Sequence, residues 1–592
     1  MTVKISLEMS KNISQPEQLI TEHIDIWTSS ILAKSTSGRG SSKKYELYGI
    51  SKLRELILEL AVRGKLVPQD ANDEPASVLL EKIAAEKAQL IKKKIIKKTK
   101  PLPLISSEDK PYELPVSWAW IRLGDTGISS TGKTPKTSET KFFNGDIPFI
   151  GPGQITTNNV ILTPEKTLTE EGLEQSTEAL EKDIMMVCIG GSIGKSAVVD
   201  RRIGFNQQIN SIRPLLVNHK YLLFSLQAKD FYSRLISEST GSATPIINRG
   251  KWDLLLIGLP PLAEQQRIVA KVDELMLLCD QLEQQTEASI DAHAMLVEVL
   301  LATLTDSSDA DELAQNWARI SEHFDSLFTT EQSIEALKQT VLQLAVMGKL
   351  VPQDPNDEPA SVLLEKIAEE KEQLVKDKVI KKEKPLPAIT DEEKPFELPQ
   401  GWTFCRLIDL VTILGDGLHG TPKYTENGEY YFINGNNLNN GNIEIKPHTK
   451  KVSQDEYLRY KKPLCKSSVL VSINGTLGNV GFYNDEPVVL GKSACYFNLT
   501  NNTSKKYIKR LLESDIFLNY ADITSTGSTI RNLGLKAMRM FPIALPSLAE
   551  QHRIVAKVDE LMAICDQLKE KLQQSQETQV QLTDALVDRA LE

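Results

Sequence analysis

Apolar residues recur at steps of four, three, four and three along Ile268, Val272, Leu275, Cys279 and Leu282, and again along Ile554, Val558, Leu561, Cys565 and Leu568. That period puts the five side chains on one stripe, so each stretch predicts a long helix packed against another helix. Ile50, Leu53, Ile57 and Leu60 mark a second amphipathic helix stopped by Gly64; Ile334, Leu337, Val341 and Leu344 repeat it before Gly348. "SVLLEKIAAEKAQLIKKKIIKK" predicts a charged helix running to the Pro-rich "KPLP". Elsewhere the pattern changes to short alternating runs, such as "DIPFIGPGQI", "DIMMVCIGGSIGKSAVV" and "VLVSINGTLGNVGFY". With their Gly, Asn, Ser and Thr, these read as short strands and turns of an α/β or α+β domain.

The helical pattern occurs twice because the chain is duplicated. Residues 64–123 and 348–407 share 43 identities in 60 positions without a gap, at an offset of 284. "LPPLAEQQRIVAKVDELMLLCDQLE" from Leu259 returns as "LPSLAEQHRIVAKVDELMAICDQLK" from Leu545, at an offset of 286. A leader, "ITEHIDIWTSS" from Ile20, is echoed by "ISEHFDSLFTT" from Ile320; the extra length before the first copy falls around "STSGRGSSKK", which reads as a flexible linker. Between the paired blocks lie two inserts of nearly equal length, 124–258 and 408–544, that have diverged apart from islands such as "GSIGK" against "GTLGN" and "STGS" against "STGS". The predicted fold is mixed α+β. Two α/β recognition domains are joined by long antiparallel coiled-coil helices, and the internal repeat imposes a pseudo-twofold. The expected divisions are a leader helix and linker (1–49), a helical region (50–110), a first recognition domain (111–258) and a central spacer helix (259–305). A second helical region (306–394), a second recognition domain (395–544) and a final spacer helix (545–592) follow. Taken alone, the heptad helices would also suit an oligomerising coiled coil; their bracketing of two matched inserts favours a spacer. About 24 residues of clear heptad span roughly 36 Å, close to one turn of duplex DNA, about 34 Å.

At 592 residues, 41% hydrophobic and 25% charged, the chain has the composition of a multidomain globular protein. It shows no apolar run of membrane-spanning length, and "MTVKISLEMSKN" lacks the apolar core of a signal peptide, so a cytoplasmic location without a membrane partner is expected. The six cysteines are scattered, which points to buried thiols and away from metal or disulfide use. Charge is partitioned: the first insert holds 14 basic and 14 acidic residues and the second 16 against 12, so of the net −10 the helical remainder carries −14. Basic residues are spread through the first insert (Arg201, Arg202, Arg213, Lys220, Arg249, Lys251). They cluster in the second, as "YLRYKKPLCK", "SKKYIKR" and "IRNLGLKAMR". Each cluster alone reads as a solvated face. Recurring beside Tyr, Asn and Gln, they suit phosphate positioning and base-edge contact.

One motif points elsewhere. "GISSTGKT", Gly127 to Thr134, satisfies the phosphate-loop pattern G-x-x-x-x-G-K-[ST]. The segment after it, "PKTSETKFFNGD", has no helical period, and the second insert reads "GDGLHGTPKY", which keeps Thr-Pro-Lys but has no Gly-Lys-Thr. The expectation is a Gly/Ser/Thr loop opening a recognition domain, with a nucleoside triphosphatase as the competing reading and a coiled-coil scaffold without sequence preference as a third. No N/D-P-P-F/Y segment, no G-x-G-x-x-G after a strand and no H-E-x-x-H is present.

The opening segments "ELPVSWAWIRLGD" and "ELPQGWTFCRLID", the closing segments "GLPPLAEQQRIVAKVDEL" and "ALPSLAEQHRIVAKVDEL", and the inner "GKTPKTSETKFFNGDIPFIGPGQI" and "HGTPKYTENGEYYFINGNNL" resemble the specificity subunits of type I restriction-modification enzymes. The resemblance covers nearly all of residues 45–592. It implies that each insert is a target recognition domain reading one half of a split, asymmetric sequence in double-stranded DNA. The shared helices would fix the gap. Two modification subunits would dock on them and methylate adenine with S-adenosylmethionine, flipping the base out of the stack. Restriction subunits would supply ATP- and Mg-dependent translocation and cleavage. This chain would itself be non-catalytic, without cofactor or metal. Loop residues shared in position or rich in hydrogen-bonding groups are the candidates for DNA contact: Lys133, Thr134, Lys136, Asn206, Gln207, Gln208, Ser242, Thr244, Asn248 and Arg249 in the first insert. In the second they are Thr421, Lys423, Asn436, Asn437, Lys505, Ser528, Arg531 and Asn532. For Phe205–Asn210 the alternative is a set of turn or core polar residues bonded to the backbone.

Overall fold

Both heptad stretches form long helices, Leu262–Asp306 and Leu548–Leu591, in the computed structural model, which describes residues 15–33, 45–98, 100–156, 161–241, 243–527 and 531–592. The linker Ser35–Lys44 lies outside the described residues. The chain divides into two units, 1–289 with 575–592, and 290–574.

In the first unit the seam Ile268, Val272, Leu275, Cys279 and Leu282 is buried in one core with the short helix Tyr48–Val62. Arg54 of that helix pairs with Asp280 at 2.7 Å and Glu283 at 2.9 Å. The seam meets the amphipathic helix of its own copy within a core that the second long helix also enters. The leader helices Gln15–Glu22 and Ile24–Ser29 cover the same core through Ile20 and Trp27. The tail of the second long helix adds Leu586, Val587 and Leu591, and Tyr48 donates to Asp584 at 2.8 Å. In the second unit Ile554, Val558, Leu561, Cys565 and Leu568 join Ile334, Leu337, Val341 and Leu344 of Glu331–Val346 in the main core.

Gly64 and Gly348 stop the two short helices at φ +71° and +73°; a Cβ at Gly64 would also stand 2.4 Å from Pro115. The charged helix is shorter than its sequence suggests. It runs Ala76–Lys92, and its copy Ala360–Lys376. Lys94 and Lys378 take φ +59° and +57°, and the following amides, Ile95 and Val379, reach back to Leu90 and Leu374, so the last turn closes on the left-handed cap before "IIKK". One helix, Leu262–Asp306, has the length and composition of a membrane span, with an 18-residue window of mean hydropathy 1.4 that is 17% buried. The helix holds no unbroken apolar run of that length, since Asp291 and Glu298 interrupt it. Val297, Leu301 and Leu304 of that helix pack into the second unit's core, and Met295, Leu296 and Val299 remain exposed.

Each insert leaves and rejoins the scaffold at one neck. Ala119–Arg122 pairs antiparallel with Leu256–Leu259, and Thr403–Arg406 with Pro542–Leu545. At the foot of the neck, buried Glu264 accepts from Trp118 Nε1 at 3.0 Å and from Gln69 at 2.6 Å; Glu550 accepts from Trp402 at 3.0 Å and Gln353 at 2.8 Å. Burial pushes both carboxyls above the usual range, and the bonds from Trp and Gln oppose that. Gln265 and Gln551 add a second tie, each accepting from the helix cap of its own insert, Asn218 N at 2.8 Å and Ser504 N at 3.0 Å.

Beyond the neck the two inserts share a topology. In the first, the main antiparallel sheet runs Gly127–Thr131, Ile209–Pro214, Ile184–Val187, Ser196–Val198; in the second, Val411–Asp416, Ala494–Leu499, Ser468–Ser472, Val480–Phe482. A smaller sheet holds a parallel pair in each: Phe143–Ile150 with Ile203–Phe205, and Tyr430–Ile433 with Val488–Leu490.

Glu264→Ala leaves the buried Trp118 Nε1 without its acceptor, while the exposed Gln69 amide keeps its bond to Gly64 O. The expected loss is about 1–3 kcal/mol in chemical denaturation, with Glu264→Gln milder because one oxygen acceptor remains. An unchanged midpoint for Glu264→Ala would show that the clasp holds nothing.

Candidate nucleic-acid interface

At one end of each main sheet, four loop segments are hydrogen-bonded into a rim. In the first insert Gly132 N donates to Ile209 O, Lys133 N to Phe205 O, Cys188 N to Gln208 O, Ile247 N to Cys188 O and Gly190 N to Pro245 O. In the second Gly417 N donates to Ala494 O, Ile473 N to Ser493 O, Leu533 N to Ile473 O and Gly475 N to Arg531 O. The same scheme thus joins loops of unlike sequence, and it aligns Gln208 with Ser493, Cys188 with Ile473 and Ile247 with Leu533.

The rim accounts for the phosphate-loop match. Gly127–Thr131 is a strand of the main sheet, not the loop expected, and the chain after Thr134 forms only a short turn at Thr140–Phe142. The two glycines answer to close packing. A Cβ at Gly127 would lie 2.1 Å from Arg213 O, and one at Gly132 would lie 1.9 Å from Asn206 O. Among the described residues no helix starts at Lys133 or Thr134, where a phosphate loop needs one.

Most of the sequence candidates gather on the rims. Lys133 and Lys136 are exposed, and Thr134 donates to Gln207 at 2.6 Å. Asn206 turns the loop by accepting from Gln208 N at 3.0 Å and donating to Gln208 Oε1 at 3.2 Å; the alternative of turn residues therefore holds for Asn206, while Gln207 stays exposed. Thr244 is exposed, and Asn248 caps the helix Arg249–Leu254 by accepting from Lys251 N. Arg249 donates to Ser129 O at 3.4 Å, which ties its loop to the strand below the rim. Thr421, Lys423, Asn436, Arg531 and Asn532 are exposed in the second insert, with Arg531 paired to Asp522. Ser242 and Ser528 lie outside the described residues.

Two candidates are corrected. Asn437 is 5% exposed; its amide donates to Glu444 O and its oxygen accepts from Asn434 N, as Gln154 accepts from Gly151 N in the first insert, so it builds a turn. Lys505 spends its ammonium on Lys466 O at 2.6 Å, away from the rim loops. The basic clusters are also spent more heavily than the sequence suggests. Arg201 pairs with Asp200, Arg202 with Glu170 and Glu178, Arg213 with Asp183, Lys220 with Asp273 and Lys251 with Glu238. In "SKKYIKR", Lys509 is buried against Glu513 and Asn440, and Arg510 reaches Asp559 at 2.6 Å. Arg539 pairs with Glu383. By contrast Lys133, Lys136, Lys423 and Lys492 form no ion pair among the described residues.

Lys492 and Ser493 are the residues that sequence reasoning missed. "LGKSAC" has no visible likeness to "FNQQIN"; only the bond from Ile473 to Ser493, matching that from Cys188 to Gln208, shows that Lys492 occupies the place of exposed Gln207.

Comparison with known proteins agrees with this duplicated architecture. The family described as type I restriction modification DNA specificity domain matches residues 115–292 and 399–577. The EcoAI specificity subunit of Escherichia coli is 44% identical over 97% of this chain and 99% of its own length. The EcoEI specificity subunit, also of Escherichia coli, is 41% identical over 97% and 99%. A crystal structure of the HsdS subunit from Thermoanaerobacter tengcongensis aligns over 81% of this chain and 98% of its own, with 17% identity and a TM-score of 0.40. Matched twice by the family, once across each neck and insert, and similar to two of its members from end to end, the chain belongs to the specificity subunits of type I restriction enzymes.

Proposed function

We propose that this chain is the non-catalytic reader of its complex, with each rim contacting one half of a bipartite, asymmetric DNA site. The observation that carries the reading is that one rim scheme occurs twice and presents different side chains: Gln207 and Thr244 on one, Lys492 and Asn532 on the other. Base-edge recognition needs that combination of fixed backbone and variable polar side chains. The long helices set the gap and dock two modification subunits, and restriction subunits join for ATP-dependent cleavage. S-adenosylmethionine, ATP and Mg belong to those partners, and the complex works in the cytoplasm, where its DNA lies. The exposed apolar residues Met295 (67% exposed), Leu296 and Val299 suit a helix from a modification subunit.

A methylome of cells carrying the chain with its modification subunits is expected to show one split, asymmetric adenine-methylated sequence. Replacing residues 124–258 by another recognition segment should change one half only, because the neck lets the insert leave and return without disturbing the scaffold; a change in both halves would defeat the modular reading. Inserting one helical turn after Asp280 should lengthen the tolerated gap with both halves unchanged, and an unaltered gap would rule out the helices as the ruler. Met295→Glu with Val299→Glu should weaken recovery of modification subunits in a pull-down by tenfold or more, by placing charge in an apolar contact; undiminished recovery would remove this face from the interface.

A further inference from the structure

The smaller sheets of the two inserts have equivalent elements and opposite charge. In the first, the edge strand Thr167–Leu168 leads through the cap Thr169 into Glu170–Glu174; in the second, the edge strand Lys451–Val452 leads through the cap Ser453 into Gln454–Tyr460. Residues 134–183 contain four basic and nine acidic side chains, whereas residues 421–466 contain eight basic and five acidic. In the first insert Arg202 pairs with Glu170 and Glu178, and Lys141 with Glu171, while Lys166 and Lys182 are exposed without an ion pair among the described residues, so acidic side chains outnumber the free cations there. In the second, Lys450, Arg459 and Lys461 are exposed and form no ion pair among the described residues.

This basic element is continuous with the rim. From Lys423 the loop is stitched to it by three contacts: Lys423 N donates to Glu456 at 2.8 Å, Tyr424 bridges Val452, and Thr425 N donates to Lys451 O at 3.0 Å. Aromatic rings are interleaved with the cations: Tyr430 stacks on Tyr457 at 4.1 Å, and the Arg459 guanidinium lies 5.2 Å from the Tyr460 ring centre. Cations on this helix and at the ends of the strand and helix, left unneutralised and flanking a base-reading rim, have the chemistry of phosphate contacts.

Resting on the reading of both rims as DNA contacts, we propose that the second recognition domain extends its grip along the DNA backbone through Lys450, Arg459 and Lys461, and that the first domain has no such grip. The two half-sites are then held unequally: the first by its rim alone, the second by rim and phosphate contacts. Lysines on an edge strand can also serve to prevent strand-to-strand pairing; that role has no effect on salt dependence.

The test uses the complex of the chain with its modification subunits. Binding is measured across salt concentrations to a 40-base-pair duplex carrying the methylome-derived site and to one of equal length without it. The triple variant Lys450→Ala, Arg459→Ala and Lys461→Ala should bind both duplexes more weakly and lower the slope of log affinity against log salt by about 2–3, with the methylated sequence unchanged. The charge-preserving triple, Lys450→Arg, Arg459→Lys and Lys461→Arg, should restore the slope. Lys166→Ala with Lys182→Ala in the first domain should leave it at the wild-type value. A full wild-type slope in the alanine triple, or an equal fall in the first-domain pair, would overturn the proposal while leaving site recognition standing. A wild-type complex with no preference for either duplex would instead remove the reading on which the proposal rests.

Discussion

The whole molecule depends on the neck of each insert, where the outgoing and returning strands pair and a buried glutamate receives the indole of the opening segment. Glu264 sits in the long helix, Trp118 just before the strand that leaves the scaffold, and Gln69 in the loop after the short helix. One carboxylate therefore joins three segments that are far apart in sequence. A buried charge is costly without partners, and with two donors it fixes the register of everything around it. Glu550, Trp402 and Gln353 repeat the arrangement with distances within 0.2 Å.

That constraint explains the distribution of identity along the chain. The segments that form the neck must keep matching shapes and partners, so "LAEQ" and the Trp just before the opening strand, Trp118 and Trp402, recur unchanged in both copies. Past the neck, the bonds that both rims share are backbone-to-backbone, and these tolerate almost any side chain. Gln208 and Ser493 fill the same place through their carbonyls. Divergence in the inserts is thus compatible with one fold, and exposed positions such as Gln207 and Lys492 are free to differ in what they offer a ligand.

Charge behaves in the same divided way. Summed along the sequence, the first insert is neutral and the second carries an excess of four positive charges. In three dimensions the difference is greater than the sum suggests. All six named cations of the first insert have an acidic partner, Arg249 the most distant at 3.9 Å, and in "SKKYIKR" Lys509 and Arg510 pair with Glu513 and Asp559 and Lys505 donates to Lys466 O, leaving Lys506 exposed. Net charge counts residues; availability depends on neighbours.

The sequence by itself determined the duplication, the heptad seams, the glycine stops at Gly64 and Gly348, and the family likeness, since each is a matter of spacing or identity along one dimension. It also exposed the phosphate-loop match as a feature of one copy only. The tertiary structure alone decided that Gly127–Thr131 is a strand and that Gly132 is required by the carbonyl of Asn206. It alone turned Asn437 into a buried turn-former and brought Lys492 onto the rim. The heptad seam likewise met the short helix of its own copy together with the tail of the other long helix. In every case the reason is the same: a periodic pattern specifies which face of an element is apolar, but which carbonyl, acid or helix lies against that face is set by segments distant in sequence and reached only when the chain is folded.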